Sequence, residues 1–508
     1  MKCKSGWSWA KPCSTLFIIS MSRLKKYLPA LLILAFLAVI YLRTLAPGLS
    51  WAFDGADGGD LVTATATGGV PHPSGYPTYL LIASLFLKIP VGSLAYRTNL
   101  LSGVCTLTTV FMIYKIVRSL DQTIFSASVA SLAFVTFQLV WSQAIITEVY
   151  ALNSLFVAIF LYFFINRSSY PLSDFIWGIV AGLGLGNHLI ILFMLPLMFI
   201  DLASSGKTPI NEVFGNRSII TNIGIIARRL SGLCLGLCVY FLIPFRAGVK
   251  APVNWGNAIN WDGLIWLVTG KMYWGRLNDL NGKYLTEGIQ AWSHFLLGQL
   301  GIIGLLAVFI VLAVLFKRSQ FYLASVWAVA IYSIFSILYF SPDSYVYLIP
   351  ALISISIWMG LASGWVVERI PTNYLHIKPL AEFGILSFII IHAILDMPKM
   401  DLSADHTVER YAQVILNSAP NKAIIFTKGD EATFALWYFH YSYHQRPDIA
   451  VISGDLLTQP WYKAVLKYTY PDLIIKDNSL EEDIILDNPT RPVCRLGSNL
   501  QATLICSP

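Results

Sequence analysis

Apolar runs of membrane-spanning length recur from Tyr27 to Leu395, and they leave the chain few ways to fold. A helix needs about 20 predominantly apolar residues to cross the hydrocarbon core, where no water can satisfy an open backbone group. Such runs lie at about 27–45, 94–117, 124–140, 230–245, 295–316, 321–340, 345–367 and 380–395, with a shorter one at 151–165. Residues 175–202 are long enough too, but Gly182, Gly184, Gly186 and then Asn187-His188 interrupt them. That interruption predicts two half-helices meeting at a polar break, which is tolerated where it lines a cavity. The pattern predicts a polytopic α-helical membrane protein with about eleven crossings, both half-helices included.

Charged residues make up only 12% of the chain, against about 25% in soluble domains. A formal charge of +7 would suggest nucleic acid in a soluble protein. Here the basic residues gather between apolar runs, the bias that marks cytoplasmic loops, so the expected partner is the lipid bilayer and no nucleic acid. Arg23, Lys25 and Lys26 hold the segment 1–26 in the cytoplasm; Lys115, Arg118, Lys207, Arg217, Arg228, Arg229, Lys317, Arg318 and Arg369 mark further inner ends. The N-terminus is then inside, the C-terminus outside, and the expected location is the inner (cytoplasmic) membrane of a cell.

The membrane region is expected over 27–397, and the apolar character ends near residue 398. Residues 423–427 and 449–453 read as short buried strands, flanked by helical patterns at about 408–416, 431–443 and 462–468. Alternating strand and helix predicts a small C-terminal α/β extracytoplasmic domain over 398–508. Asp430 and Asp455 follow the two strands, where parallel sheets bind ligands, although capping the next helix is the simpler role. Cys494 and Cys506 flank a short polar segment and suit a disulfide outside the cytoplasm; the seven cysteines show no metal-binding spacing.

Chemistry concentrates in the first external loop, residues 46–93. Asp54, Asp57 and Asp60 stand among small residues, and Val70-Pro-His72-Pro-Ser-Gly-Tyr-Pro77 follows. Joining two spans needs neither acids three apart nor a turn so rigidly set by proline. If the loop turns helical, Asp57 and Asp60 share one face. Two neighbouring carboxylates can raise one pKa into the range of a general base, or jointly hold a divalent cation such as Mg or Mn; a solvated turn capped by Asp is the plain alternative. The apolar piece 77–90 is too short to cross and reads as a re-entrant or interfacial helix.

Beyond that loop, Glu148 and Tyr150 lie where two spans meet; an acid there is costly, although snorkelling beside an aromatic belt would explain both. Asn187 and His188 occupy the Gly-rich break, where a satisfied core histidine is the rival reading. Arg246 opens a second external loop, 246–294, with Lys250, Lys271, Arg276 and Lys283, and a cation there could grip a lipid phosphate. Asp343 and Tyr347 are polar residues in a short outer turn. The chain carries no phosphate-binding loop, dinucleotide fingerprint or hydrolase elbow.

With Gly55-Ala-Asp57-Gly-Gly-Asp60-Leu, His72-Pro-Ser-Gly-Tyr-Pro77, Trp141-Ser-Gln-Ala, Glu148-Val-Tyr-Ala-Leu-Asn153 and Gly186-Asn187-His188 in order, the chain resembles the C-type (GT-C) membrane glycosyltransferases. Within them it is similar to the family labelled domain of unknown function 2723, related to transmembrane protein 260, a protein O-mannosyltransferase. The resemblance implies a polyprenyl-phosphate sugar donor, a hydroxyl acceptor on a protein or envelope glycan, attack with inversion, and a first-loop carboxylate as base. Asp57 matches the family's first acid, whereas Asp60 stands where the family usually has Glu. Asp57 is then the expected base and Asp60 its partner; His72, Glu148, Tyr150, Asn187 and His188 bind substrate, and Arg246 contacts phosphate. Broken helices and intramembrane polar residues would also suit a transporter or flippase, but no internal repeat of spans supports one. A non-catalytic scaffold for envelope assembly is the other rival.

Overall fold

A computed structural model of the protein describes residues 13–166, 171–200, 219–275, 282–315, 320–339, 341, 343–497 and 502–507. The side chains of Arg23, Lys25, Lys26 and Lys283, with residues Lys207, Arg217, Arg276, Lys317 and Arg318, lie outside the described set.

Among the described residues, seven helices are long and apolar enough to cross a membrane, or eight if one bent pair counts as a span. The chain is a multi-pass membrane protein. The first helix, α1 (Cys13–Thr44), leads to a short helix α2 (Asp57–Thr67) inside the first loop, then α3 (Pro77–Phe86) and the long α4 (Leu94–Ser119). The expected straight span at 124–140 is instead the bent pair α5 (Ile124–Thr136) and α6 (Gln138–Ala144), turned by 70°. Phe137 takes an extended backbone between them, and the Leu139 N–H so freed donates to Gln299 Oε1 at 3.1 Å. The fewer long spans follow from α7 (Tyr150–Ile165), α8 (Pro171–Leu185) and the continuation Leu189–Ile200, each shorter than a full crossing. α3 is short, as its sequence predicted.

The break after α8 falls at residues 186–188, as expected, but two of the glycines near it serve packing. Gly178 and Gly182 face Gly232 and Gly236 of the helix Ile219–Leu237, and a Cβ on Gly182 would lie 2.5 Å from the Leu233 carbonyl. Small residues at that spacing let two membrane helices approach backbone to backbone. Arg229 is buried at the same contact, held by Asp174 at 2.8 Å and lying over the Trp177 ring.

The C-terminal region holds a four-stranded sheet in the order β2-β1-β3-β4, with β1 (Ile424–Thr427), β2 (Ala450–Ser453), β3 (Val493–Leu496) and β4 (Leu504–Ser507). β1 pairs in parallel with β2 and β3, and β4 runs antiparallel to β3. β1 and β2 are buried throughout, which their unbroken apolar runs require of parallel strands covered on both faces. Cys494 and Cys506 are directly paired across β3 and β4 and form a disulfide. Sheet and membrane region are not packed as separate bodies. Ile424, Val451, Phe434 and Trp437 share one apolar core with Leu49, Val62, Val70, Leu80 and Ala95 of the first loop and its neighbours. The change of composition near residue 398 is therefore no break in packing.

Candidate active site

α2 begins at Asp57, so both acids lie in its first turn, one above the other, as the spacing predicted. Their surroundings set them apart. Asp60 is fully buried, and both its oxygens are occupied. Oδ2 accepts from the His72 backbone N–H at 2.8 Å and from His72 Nδ1 at 2.7 Å; Oδ1 accepts from the Trp255 indole N–H at 2.9 Å. The Asp57 side chain is 36% exposed, and its Oδ2 lies 3.4 Å from His72 Nε2. Asp60 is thus buried between His72 and Trp255, and Asp57 is the more exposed of the two acids.

His72 sits between the two carboxylates. The Tyr76 hydroxyl lies 3.0 Å from both the Pro73 carbonyl oxygen and His72 Nε2. A ring held between two carboxylates is stabilised as the imidazolium. Burial alone would lower the pKa of His72, but the charge of Asp57, then the hydrogen bond and charge of Asp60, outweigh it and push the group up to about 9.

Two glycines allow this crowding. A Cβ on Gly58 would lie 3.1 Å from the Thr147 carbonyl, and one on Gly59 would lie 2.6 Å from the Phe434 carbonyl. α2 is thus pressed between the 145–149 loop and the helix Asp430–Trp437. Thr147 is held in turn by Asn99, whose amide donates to the Ala46 and Gly48 carbonyls.

Glu148 is buried beside this group, with Oε2 accepting the Val149 N–H at 3.3 Å. Burial and the charge of Asp57 raise its pKa well above the usual carboxylate range. Tyr150, His188, Tyr76 and Tyr347 form a ring cluster with centroids 5.7–6.0 Å apart. Asn187 is fully buried, and its amide donates to the Val149 carbonyl at 3.2 Å, tying the helix break to the Glu148 loop. His188 also caps the turn after it, accepting from the Ile190 N–H at 3.3 Å. Asp57, Asp60, His72, Glu148, Tyr150, Asn187 and His188 are therefore brought together.

Arg246 is not. Its Nε donates to the Gly69 carbonyl at 2.7 Å and Nη2 to the Ala64 carbonyl at 2.6 Å, closing the C-terminal end of α2. Asp57 stands at the other end, about 12 Å away at about 1.5 Å per residue. Nε and Nη2 cap the helix carbonyls, a role that the sequence alone could not distinguish from a phosphate contact. A divalent cation held by Asp57 and Asp60 does not fit the donor set either. Both Asp60 oxygens already accept hydrogen bonds, an imidazolium stands between the acids, and no group of three potential ligands occurs among the described residues.

Sequence reasoning missed Trp255 and Tyr76. Trp255 reaches Asp60 because residues 253–255 bridge to Val70: Val70 N–H donates to Val253 O and Trp255 N–H to Val70 O, each at 3.0 Å. Trp461 packs on Trp255 at 5.2 Å. Asp430 lies near enough to Asp57 that burial and that charge push its carboxyl up to about 6. Tyr345 on the opposite side donates to the Asp54 carboxylate.

A membrane bundle with an acid-bearing first loop, roofed by a small α/β region, is a fold already seen in a solved membrane protein. ArnT from Cupriavidus metallidurans, solved with undecaprenyl phosphate bound, superposes with a TM-score of 0.56 over 85% of this chain and 90% of its own, at 12% identity. Two family models match parts of the sequence. Residues 57–208 match the model of the protein O-mannosyl-transferase TMEM260 N-terminal domain, and residues 408–472 match TMEM260-associated domain 2. The resemblance read from the motifs is thereby borne out. Protein O-mannosyl-transferase TMEM260 of Mus musculus is 24% identical over 461 residues, or 85% of this chain. Its Dictyostelium discoideum counterpart is 24% identical over 498 residues, or 87% of this chain. The chain spans 63% and 59% of the lengths of these two relatives, under two thirds of each.

Proposed function

We propose that this protein is a glycosyltransferase that moves a sugar from a polyprenyl-phosphate donor to a hydroxyl of a protein or envelope glycan, with inversion, at the extracytoplasmic face of the membrane. In this reading Asp57 is the general base and the N-terminus lies in the cytoplasm. The observation that carries it is the difference between the two acids in the first turn of α2: Asp60 is fully buried and holds His72, while the Asp57 side chain is 36% exposed and lies within 3.4 Å of the same ring. A hydroxyl is a weak nucleophile at neutral pH, and a carboxylate within reach accepts its proton as it attacks the anomeric carbon. The bond from that carbon to the phosphate oxygen breaks, and the lipid phosphate leaves with the electron pair. The His72 imidazolium, 3.4 Å from Asp57 Oδ2, orients that carboxylate and places positive charge at the reacting end of α2, whereas Arg246 sits at the other end. The names of the TMEM260 relatives make mannose the first sugar to try and protein hydroxyls the first acceptors.

The test is sugar transfer in proteoliposomes with a panel of polyprenyl-phosphate sugars, comparing wild type with Asp57→Asn. Transfer by wild type that falls by about 10² in the variant is expected for a lost general base. Equal rates, or movement of the lipid-linked sugar between leaflets with no transfer, would reject the reading.

A further inference from the structure

A cavity of about 710 Å³ lies in the membrane bundle, away from the crevice. Four helices wall it: α5, Gly282–Ile310, Ile349–Glu368 and Lys378–Met400. The last three belong to segments long and apolar enough to cross a membrane, and α5 is the first half of the bent pair. Val129, Ala133 and Ala362 are buried at its back, whereas Ile302, Leu306 and Phe388 stand more than half exposed at its rim. Among the described residues, none of the lining comes from α2, the 145–149 loop or the break at 186–188.

Missing side chains hold the cavity open. A Cβ on Gly298, Gly301 or Gly384 would meet no neighbouring atom within 4 Å, although all three glycines line it. Protein interiors are close-packed and leave few voids larger than a water molecule. This cavity instead falls within the range of about 300–1,000 Å³ that ligand sites occupy. Gly301 also takes φ +56, a conformation that glycine adopts far more readily than other residues, and so interrupts its helix beside the cavity.

What fills the space follows from where it stands. The rim is continuous with other exposed apolar residues of the same spans, such as Phe309 and Ile391, and at that depth the solvent is hydrocarbon. The few polar groups of the lining are already engaged within the protein. Thr136 and Ser363 donate to the Ala133 and Met359 carbonyls, Gln299 Oε1 accepts the Leu139 N–H, and His392 faces Asp396 at 3.4 Å. A site so lined offers water no partners and takes an apolar ligand.

We propose that this cavity binds one acyl chain of a bilayer phospholipid, held as part of the fold and separate from the sugar donor. A donor has to bring its phosphate to the acids of α2, and the cavity is built from none of the elements around them. The bound acyl chain packs on Phe137 and Gln299, the residues that make and hold the bend into α6. α6 leads on to Thr147, against which Gly58 of α2 rests, so the lipid supports one wall of the crevice from behind.

The test uses the full chain in phosphatidylcholine proteoliposomes, with a trace of the lipid carrying a photoactivatable diazirine midway along one acyl chain. Peptide mass spectrometry after illumination maps the label. In wild type, label is expected on Ala133 and Ala362 as well as on Leu42 and Phe241, which are exposed on spans outside the cavity. Ala127 and Ala130, equally buried in α5 but outside the cavity, should stay unlabelled. Gly384→Phe and Gly298→Phe each turn a ring into the open space from a different helix. Loss of label from Ala133 and Ala362 in either variant, unchanged at Leu42 and Phe241, supports the site. Retention in both variants, or wild-type labelling of Ala133 and Ala362 no greater than that of Ala127 and Ala130, would overturn it. Displacement of the label by a polyprenyl phosphate, at a molar ratio where added unlabelled phosphatidylcholine has no effect, would also overturn it and give the cavity to the donor.

Discussion

Exchanging the two acids of α2 one at a time should separate folding from chemistry. In Asp60→Asn the amide can place its oxygen where Oδ2 was and keep both His72 bonds in weakened form. Its NH2 then faces the Trp255 indole N–H across the former 2.9 Å bond, donor against donor, in a fully buried site. The loss combines a charge-assisted hydrogen bond, about 1.5–3 kcal/mol, with an imidazolium deprived of its nearest counter-charge. Together these reach about 3–5 kcal/mol, the range for breaking a buried ion pair by removing one partner. Folded proteins hold only about 5–15 kcal/mol in all, so Asp60→Asn should melt at a distinctly lower temperature in detergent. Asp57→Asn removes a charge that helps keep His72 protonated but alters a partly exposed side chain, so it should melt nearer to wild type than Asp60→Asn does while transfer falls by about 10². Intrinsic tryptophan fluorescence during heating, alongside sugar transfer, measures both. An Asp60→Asn protein that melts and transfers like wild type would refute the assignment of Asp60 to positioning.

Other outcomes follow from neighbouring contacts. His72 is raised to about 9 from an ordinary 6.5, so its contribution is fully present below pH 6.5 and is lost as pH rises through 9. Wild type should therefore lose about 3 kcal/mol between pH 6 and 9.5, and His72→Gln should flatten that decline in thermal melts. Gly59→Ala places a methyl against the Phe434 carbonyl and should part the two helices, lowering both melting temperature and transfer; Ala at the exposed Gly275, with open space around it, should do neither. Reducing the Cys494–Cys506 bond, which closes a loop over a sequence separation of 12, should cost about 2–3 kcal/mol, seen as faster proteolysis of β4 with the membrane bundle intact.

Much of this was legible because membrane solvent makes residues speak plainly. Apolar runs fixed the class of fold, and polar residues inside them stood out: Asp57, Asp60, His72, Glu148, Tyr150, Asn187 and His188 do converge. What the sequence does not show has a common cause. Arg246 and Asp60 bear charge, and each meets partners far along the chain, Ala64 and Gly69 for one and Trp255 for the other. Hydrogen-bond partners at separations near 180 leave no periodic trace. Gly182 read as part of a helix break, whereas it lets two backbones touch, as Gly59 does against Phe434, which becomes visible only once the neighbour is placed. The bend at Phe137 carried no Pro or Gly to announce it.

The core shared by the first loop and the C-terminal sheet also bears on how the molecule is made. Ser50 donates to Asp405 at 2.6 Å across 355 positions of chain, and the amide N–H groups of Leu94 and Ala95 wait for the hydroxyls of Tyr443 and Tyr438. A nascent chain emerges N-terminus first, so the acids of α2 are made long before the surface that roofs them exists. Contacts so distant in sequence form late and slowly. Until they do, Gly59 faces nothing and Val62 and Val70 lie open, so a chain stalled in the last membrane helix is a handle for quality control and has no assembled crevice in which to act.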